Sequence, residues 1–136
     1  MGFMDELKKI IHPYDDEDYD YDAMSRNCVF LGAYDGKTCI GVAILQDYWF
    51  KYMYLYDLKV SKQCRGTGVA QELLRKAKEV AVAHGYKGIY TIGQDNNLAA
   101  CKFYLKMGFQ IGGFDNHVYR GTSQEGKSDI HFYWDF

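Results

Sequence analysis

The chain has 136 residues, 48% of them apolar and 17% aromatic, with thirteen Tyr, one Pro and a formal charge of −2. That length suits one domain spanning 1–136 with a buried core, and the composition excludes a linker-rich or disordered chain. The charge lacks the basic excess of a nucleic-acid binder or a membrane-surface protein, so neither partner is expected.

FMDELKKIIH carries apolar residues at 3, 7, 10 and 11, the spacing of a short amphipathic helix closed near Pro13. DDEDYDYD (15–22) follows, with six acidic and no basic residues, which leaves the rest of the chain net basic. Such a run reads either as a solvated acidic loop or as a negative rim that steers a polycationic substrate. NCVFLGAY and KTCIGVAIL are two strands joined through Asp35-Gly36, a hairpin signal. FKYMYLYDLKV (50–60) alternates and is rich in aromatic and branched residues, a third strand. Trp49, Phe50, Tyr52 and Tyr54 are expected in the core or along a substrate cleft, where an aromatic wall can hold a cation.

From Gly68 to His84 the period turns helical, with Val69, Leu73, Ala77, Val80 and His84 on one stripe, widened by Ala70, Leu74 and Ala81; Gly85 stops it. KGIYTIG (87–93) is a strand covered on both faces. Asn96 or Asn97 caps a second helix, LAACKFYLKM, with Ala100, Phe103 and Met107 inward and Gly108 at its end. FQIGGF, HVYRG and SDIHFYWDF are further strands. The order implies a mixed α/β domain in which strand–helix–strand crossovers are joined to an antiparallel meander.

No stretch of about 18 apolar residues exists, so no membrane-spanning helix is expected. The first residues lack the basic and apolar regions of a signal peptide. Cys28, Cys39, Cys64 and Cys101 show neither CxxC spacing nor His pairing, which predicts reduced, buried thiols, no metal site and a cytoplasmic setting. His12, His84, His117 and His131 are scattered and read as packing or surface residues.

QCRGTGVAQELLRKA (63–77) places Gly66, Gly68 and Ala70 where a helix begins. Glycine there costs about 0.5–1 kcal/mol relative to alanine, so something needs the bare backbone. Free N–H groups at a helix start, with no side chains in the way, suit a pyrophosphate. The GxxxxGK[ST] and GxGxxG phosphate loops do not fit; [Q/R]xxGx[G/A] does, through Arg65, Gly68 and Ala70, although a plain glycine turn has the same form.

NNLAACKFYLKMGF (96–109) adds a second motif, NxxAxxFYxxxGF from Asn97. Together the two motifs resemble the GNAT superfamily of N-acetyltransferases, over roughly residues 27–136. The stretch 91–113 with the Tyr-rich end is most similar to the streptothricin acetyltransferases. The resemblance implies a GNAT fold, a central mixed sheet with splayed middle strands flanked by helices. It implies acetyl-CoA as donor and an amine as acceptor. By motif, the N–H groups of Arg65, Gly66, Thr67, Gly68, Val69 and Ala70 would hold the CoA pyrophosphate. The backbone of Leu58, Lys59 and Val60 would pair with the pantetheine arm, and an N–H there would polarise the thioester. Asn97 and Ala100 would flank that arm. Tyr104 would be the general acid for the leaving thiolate; its other reading is a ring packed with Phe103 and Met107.

The base is open. Deprotonating a lysine-like amine, of pKa about 10.4, at neutral pH costs about 4–5 kcal/mol. Where relatives carry Glu, this chain has Tyr56 in LYDLKV and Ile92 in TIGQD. Strand alternation would put Tyr56 and its neighbour Asp57 on opposite faces. Asp57 through water, or a residue of the acidic run, remains as base. Cys101 has no base near it in sequence, which favours direct transfer over an acyl-enzyme. The reading is an N-acetyltransferase for a primary amine of a small cationic molecule, a streptothricin-type antibiotic. Its rivals are a protein amine, polyamine or metabolite as acceptor, and a CoA-binding module without turnover. Relatives carry a further N-terminal strand, so this sheet would lack its first strand and leave an edge that a second copy can cover, giving a homodimer.

Overall fold

β1 (Cys28–Asp35) and β2 (Thr38–Gln46) form an antiparallel hairpin across Gly36-Lys37, where the sequence carries its turn signal. The computed structural model describes residues 27–48 and 50–136. The proposed first helix, the acidic run and Trp49 lie outside the described residues. β3 (Tyr52–Val60) pairs antiparallel with β2; helix α1 (Val69–Ala83) then leads to β4 (Gly88–Gln94), parallel to β3. Helix α2 (Leu98–Lys106), β5 (Gln110–Asp115) and β6 (Asp129–Asp135) complete the order. The described strands make one mixed sheet, β1-β2-β3-β4-β6-β5, with β1 and β5 at its edges.

One core joins both helices to one face of the sheet. Leu73, Leu74, Ala77 and Ala81 of α1 and Cys101 and Tyr104 of α2 meet Ala43, Leu45, Met53, Leu55, Ile89 and Phe132. Burying a Leu, Ile or Phe of this kind contributes about 1.5–3 kcal/mol each. Two expectations are corrected. On α2 the buried residues are Cys101 and Tyr104, while Ala100, Phe103 and Met107 only pack at the margin. His117 to Gly121 is not a strand but part of a turn-rich loop: Tyr119 donates its hydroxyl to Asp129 Oδ1 at 2.6 Å, and Asp115 Oδ1 accepts from the His117 and Val118 N–H groups. Those local acceptors hold the segment away from a ladder. Cys64 is only half-buried, whereas the other three thiols are buried. Among the described residues no helix is long and apolar enough to cross a membrane.

Gly88 opens β4 where a neighbouring strand's backbone comes close. A Cβ there would stand 2.5 Å from the Trp134 carbonyl oxygen and 2.7 Å from the Tyr52 ring. At Gly113 the nearest atom would be 3.4 Å away, ordinary contact. Gly88→Ala is therefore expected to lower unfolding free energy by about 1–3 kcal/mol in urea denaturation. Gly113→Ala should leave it nearly unchanged, and equal losses would contradict this account of packing.

Candidate functional site

β3 and β4 pair only through Tyr52–Tyr54 and Gly88–Tyr90 and then part. At the apex the Thr91 hydroxyl, 3% exposed, donates to the Leu55 carbonyl at 2.9 Å, so a side chain replaces the missing ladder bond. Beyond it opens a cleft of about 1140 Å³, between Tyr56–Val60 on one side and Thr91–Gln94 on the other. Asn97, Ala100, Phe103 and Tyr104 of α2 also line it. Asn97 caps α2, its side chain accepting from the Ala100 N–H at 3.2 Å, which settles the choice between the two asparagines.

At one end of the cleft the chain turns through Gly66 (φ 80°) and Gly68 (φ 91°), left-handed values that a side chain would strain. Gly68 is the N-cap of α1 and supplies no side-chain cap. The first bond into the helix runs from the Glu72 N–H to the Gly68 carbonyl, which leaves the N–H groups of Val69, Ala70 and Gln71 without intrahelical acceptors. An adjoining hollow of about 390 Å³ is lined by Gly66, Gly68, Val69 and Ala70. Arg65 faces both hollows and donates through Nε to the Val60 carbonyl at 3.4 Å. Lys59 and Lys62 add positive charge to the large cleft and Lys106 to the small one. Thr67 lines neither; its hydroxyl donates to the Cys64 carbonyl and tightens the turn. Bare donors, helix dipole and cations together suit a polyphosphate.

Tyr104 sits beneath the split with its ring against Phe109 and Phe132, at centroid distances of 5.2 and 5.4 Å. It is 8% exposed. Burial pushes its phenol up to about 12; hydrogen bonding with Thr91 opposes the rise and the Asp57 charge adds to it. The group is thus a held proton facing the cleft. Burial also raises the Cys101 thiol, and the charge of Asp95 adds to that, which disfavours a thiolate nucleophile there.

β3 bulges at Tyr56. Ile44 stands opposite Asp57 and Leu45 opposite Leu55, so Tyr56 is the extra residue. Directly opposed residues share a face, so Asp57 turns to the side of Tyr54, away from the helices. Tyr56 turns there too, its ring edge-on to Tyr54 at 6.1 Å. The alternation expected to separate Tyr56 from Asp57 is cancelled by the bulge. Asp57 accepts from the Leu58 N–H at 2.9 Å and faces Lys59 Nζ at 3.6 Å, so a cofactor carbonyl seeking that N–H competes with Asp57.

This second face is aromatic. Tyr90 lies 5.5 Å from Tyr54, 5.8 Å from Tyr48 and 5.0 Å from Tyr133, ring to ring. His131 stacks on Tyr90, with its Nδ1 2.5 Å from the phenol oxygen. Asp129, buried, accepts from Tyr119, which also accepts from Gln94 Nε2 at 2.7 Å. Phe50 is 67% exposed rather than core. The structure thus gathers Tyr56, Asp57, Leu58, Lys59, Val60, Arg65, Ala70, Asn97, Ala100 and Tyr104 around one cleft, with Gly66, Gly68 and Val69 next to it. Sequence reading missed Thr91, Gln94, Tyr90 and the two lysines at 62 and 106. Only the run TIGQ beside the second motif could have pointed to the first two. Among the described residues no cluster could hold a metal ion.

Comparison with known proteins agrees with this geometry. The profile of the acetyltransferase (GNAT) family matches residues 3–109. Streptothricin acetyltransferase A of Bacillus subtilis (strain 168) is 33% identical over 131 residues, 95% of this chain and 75% of that protein. Streptothricin acetyltransferase of Escherichia coli is 30% identical over 125 residues, 91% of this chain and 72% of that protein. A candidate streptothricin acetyltransferase from Bacillus anthracis (strain Ames), solved in complex with acetyl coenzyme A, superposes with a TM-score of 0.81 at 36% identity, covering 87% of this chain and 70% of that one.

The raised phenol of Tyr104 has a consequence for stability. A folded-state value near 12 against 10.0 for the free phenol means that its contribution is whole below pH 10 and is lost as pH rises toward 12. About 3 kcal/mol of unfolding free energy should disappear over that window, at 1.36 kcal/mol per unit. Guanidinium melts at pH 8 and pH 11.5 test this; Tyr104→Phe should show a smaller alkaline loss than the parent, and an equal loss would count against it.

Proposed function

The chain belongs to the acetyltransferase (GNAT) family, and from that premise we propose that it carries the acetyl group of acetyl-CoA to a primary amine of a small cationic molecule, a streptothricin-type antibiotic. The observation that carries the reading is the cleft itself: parted strands, a bare helix start with cations at one end, and a protonated phenol beneath the middle.

In this reading residues 1–136 act as one domain. The N–H groups from Arg65 to Ala70, with Lys62 and Lys106, hold the pyrophosphate, and Thr67 keeps their turn closed. The backbone of Leu58, Lys59 and Val60 takes the amide groups of the pantetheine arm as an added strand would. Asn97 fixes the start of α2, and Ala100 leaves room for the arm above it. Acetyl-CoA supplies an activated acyl carbon; the protein orients it and manages protons. Tyr104 faces the departing sulfur. Full transfer from a phenol near 12 to a thiolate of about 8.5 is uphill by about 5 kcal/mol, so Tyr104 acts first as a hydrogen-bond donor to the charge developing on sulfur. Tyr54, Tyr56, Tyr90 and Asp57 form the approach for a cation.

Purified protein with acetyl-CoA should release thiol with streptothricin at a kcat/KM at least tenfold above that for spermidine or a lysine-containing peptide. A preference for another amine would overturn the substrate, and acetyl-CoA binding without any turnover would overturn the enzyme reading. Tyr104→Phe should lower kcat about a hundredfold with the acetyl-CoA Kd changed less than threefold, measured by calorimetry; an unchanged kcat would remove Tyr104 from the chemistry.

A further inference from the structure

The reaction needs a group to take a proton from the acceptor amine, and the positions expected to supply a carboxylate do not. Tyr56 and Ile92 occupy two of them, and Asp57 is engaged by the Leu58 N–H and Lys59. A different arrangement stands on the aromatic face. Tyr90 is the last residue of β4 paired with β3, so it sits at the apex of the split. Thr91 beside it turns to the helix side, where it meets Tyr104, while Tyr90 and Ile92 turn the other way. His131 on β6 stands directly opposite Ile92, which lines the cleft. Tyr90 Oη lies 2.5 Å from His131 Nδ1, and the rings are parallel within 9°.

We propose that Tyr90 and His131 form the proton relay for the acceptor amine, Tyr90 touching the nitrogen and His131 receiving the proton through it. The inference rests on the N-acetyltransferase reading above. As the ammonium proton passes to Tyr90 Oη, the phenol's own proton moves to His131 Nδ1. The freed lone pair forms the C–N bond, and the C–S bond breaks as the tetrahedral centre collapses. The second nitrogen-bound proton leaves at that stage and ends on the CoA sulfur, with Tyr104 as donor there. His131, now imidazolium, returns its proton to water after the products leave. One ammonium and one thioester thus give one amide, one thiol and one proton.

The surroundings fit a phenol that passes its proton on instead of keeping a charge. Burial raises Tyr90 strongly, and Tyr133, Tyr54, Tyr48 and Asp129 add to it in that order. Tyrosinate is therefore disfavoured, and an imidazole at 2.5 Å gives the proton another place to go. The described groups that act on Tyr90 are the phenols of Tyr48 and Tyr54 from the β2–β3 side, and Tyr133 and Asp129 of β6. β5 brings Gly113 against His131.

The test uses His131→Gln and Tyr90→Phe in the full chain, with whichever of streptothricin, spermidine or the lysine peptide the parent turns over fastest. Thiol release is followed from pH 6 to 9 and acetyl-CoA Kd is measured on the same samples. Each variant should lose at least a hundredfold in kcat with Kd within twofold, and the acid limb of the parent's log kcat/KM profile should vanish in His131→Gln. Tyr90→Phe keeps its ring against Tyr54 and Tyr133, so it remains informative if the other variant fails to fold. Turnover within threefold of the parent with the acid limb retained overturns the relay alone. Loss of acetyl-CoA binding together with turnover marks a structural role and also overturns it. A parent that binds acetyl-CoA yet acetylates no amine overturns the parent reading and the relay together.

Discussion

Three residue pairs hold β3 to β4, and everything else at the site follows from the ladder stopping there. Backbone groups that lose a strand partner need another one, because an unmet buried N–H or C=O costs about 1–3 kcal/mol. The fold meets the first orphan internally, with the Thr91 hydroxyl on the Leu55 carbonyl. The rest of β3, Tyr56 to Val60, lines the cleft. A wider pairing would close the cleft, and a shorter one would give the hydroxyl nothing to brace.

The split also separates two chemistries. On the helix side lie the glycine turn, the start of α1 with Arg65 and Lys106 beside it, and the buried phenol of Tyr104. On the other side lie Tyr48, Tyr54, Tyr56, Tyr90 and Tyr133, with Asp57 and Asp129 among them. In the proposed reaction an anionic donor and a cationic acceptor would approach from opposite faces. Thr91, on the helix side, braces the apex and touches the Tyr104 phenol.

Much of this was legible along the chain, and what was not has a common cause. The glycine turn, the Asn97 cap and the stops at Gly85 and Gly108 depend on a few adjacent residues, so local rules place them. The inward face of α2 went astray because three-to-four spacing offers two neighbouring stripes, and the sheet selected Cys101 and Tyr104. HVYRG has a strand's composition, yet Asp115 and Asp129 capture it as a turn. The bulge at Tyr56 leaves no mark in LYDLKV, since it arises from the register that β2 imposes.

By itself the sequence determined the family and the described helices and strands other than HVYRG, and it named candidates for holding phosphates and donating a proton, because each depends on short-range geometry or on a contiguous motif. Only the tertiary structure decided which face Asp57 turns to, that Tyr90 and His131 meet across 41 positions, and where the sheet opens. Those are properties of strand register, and register is set by partners far away in the chain.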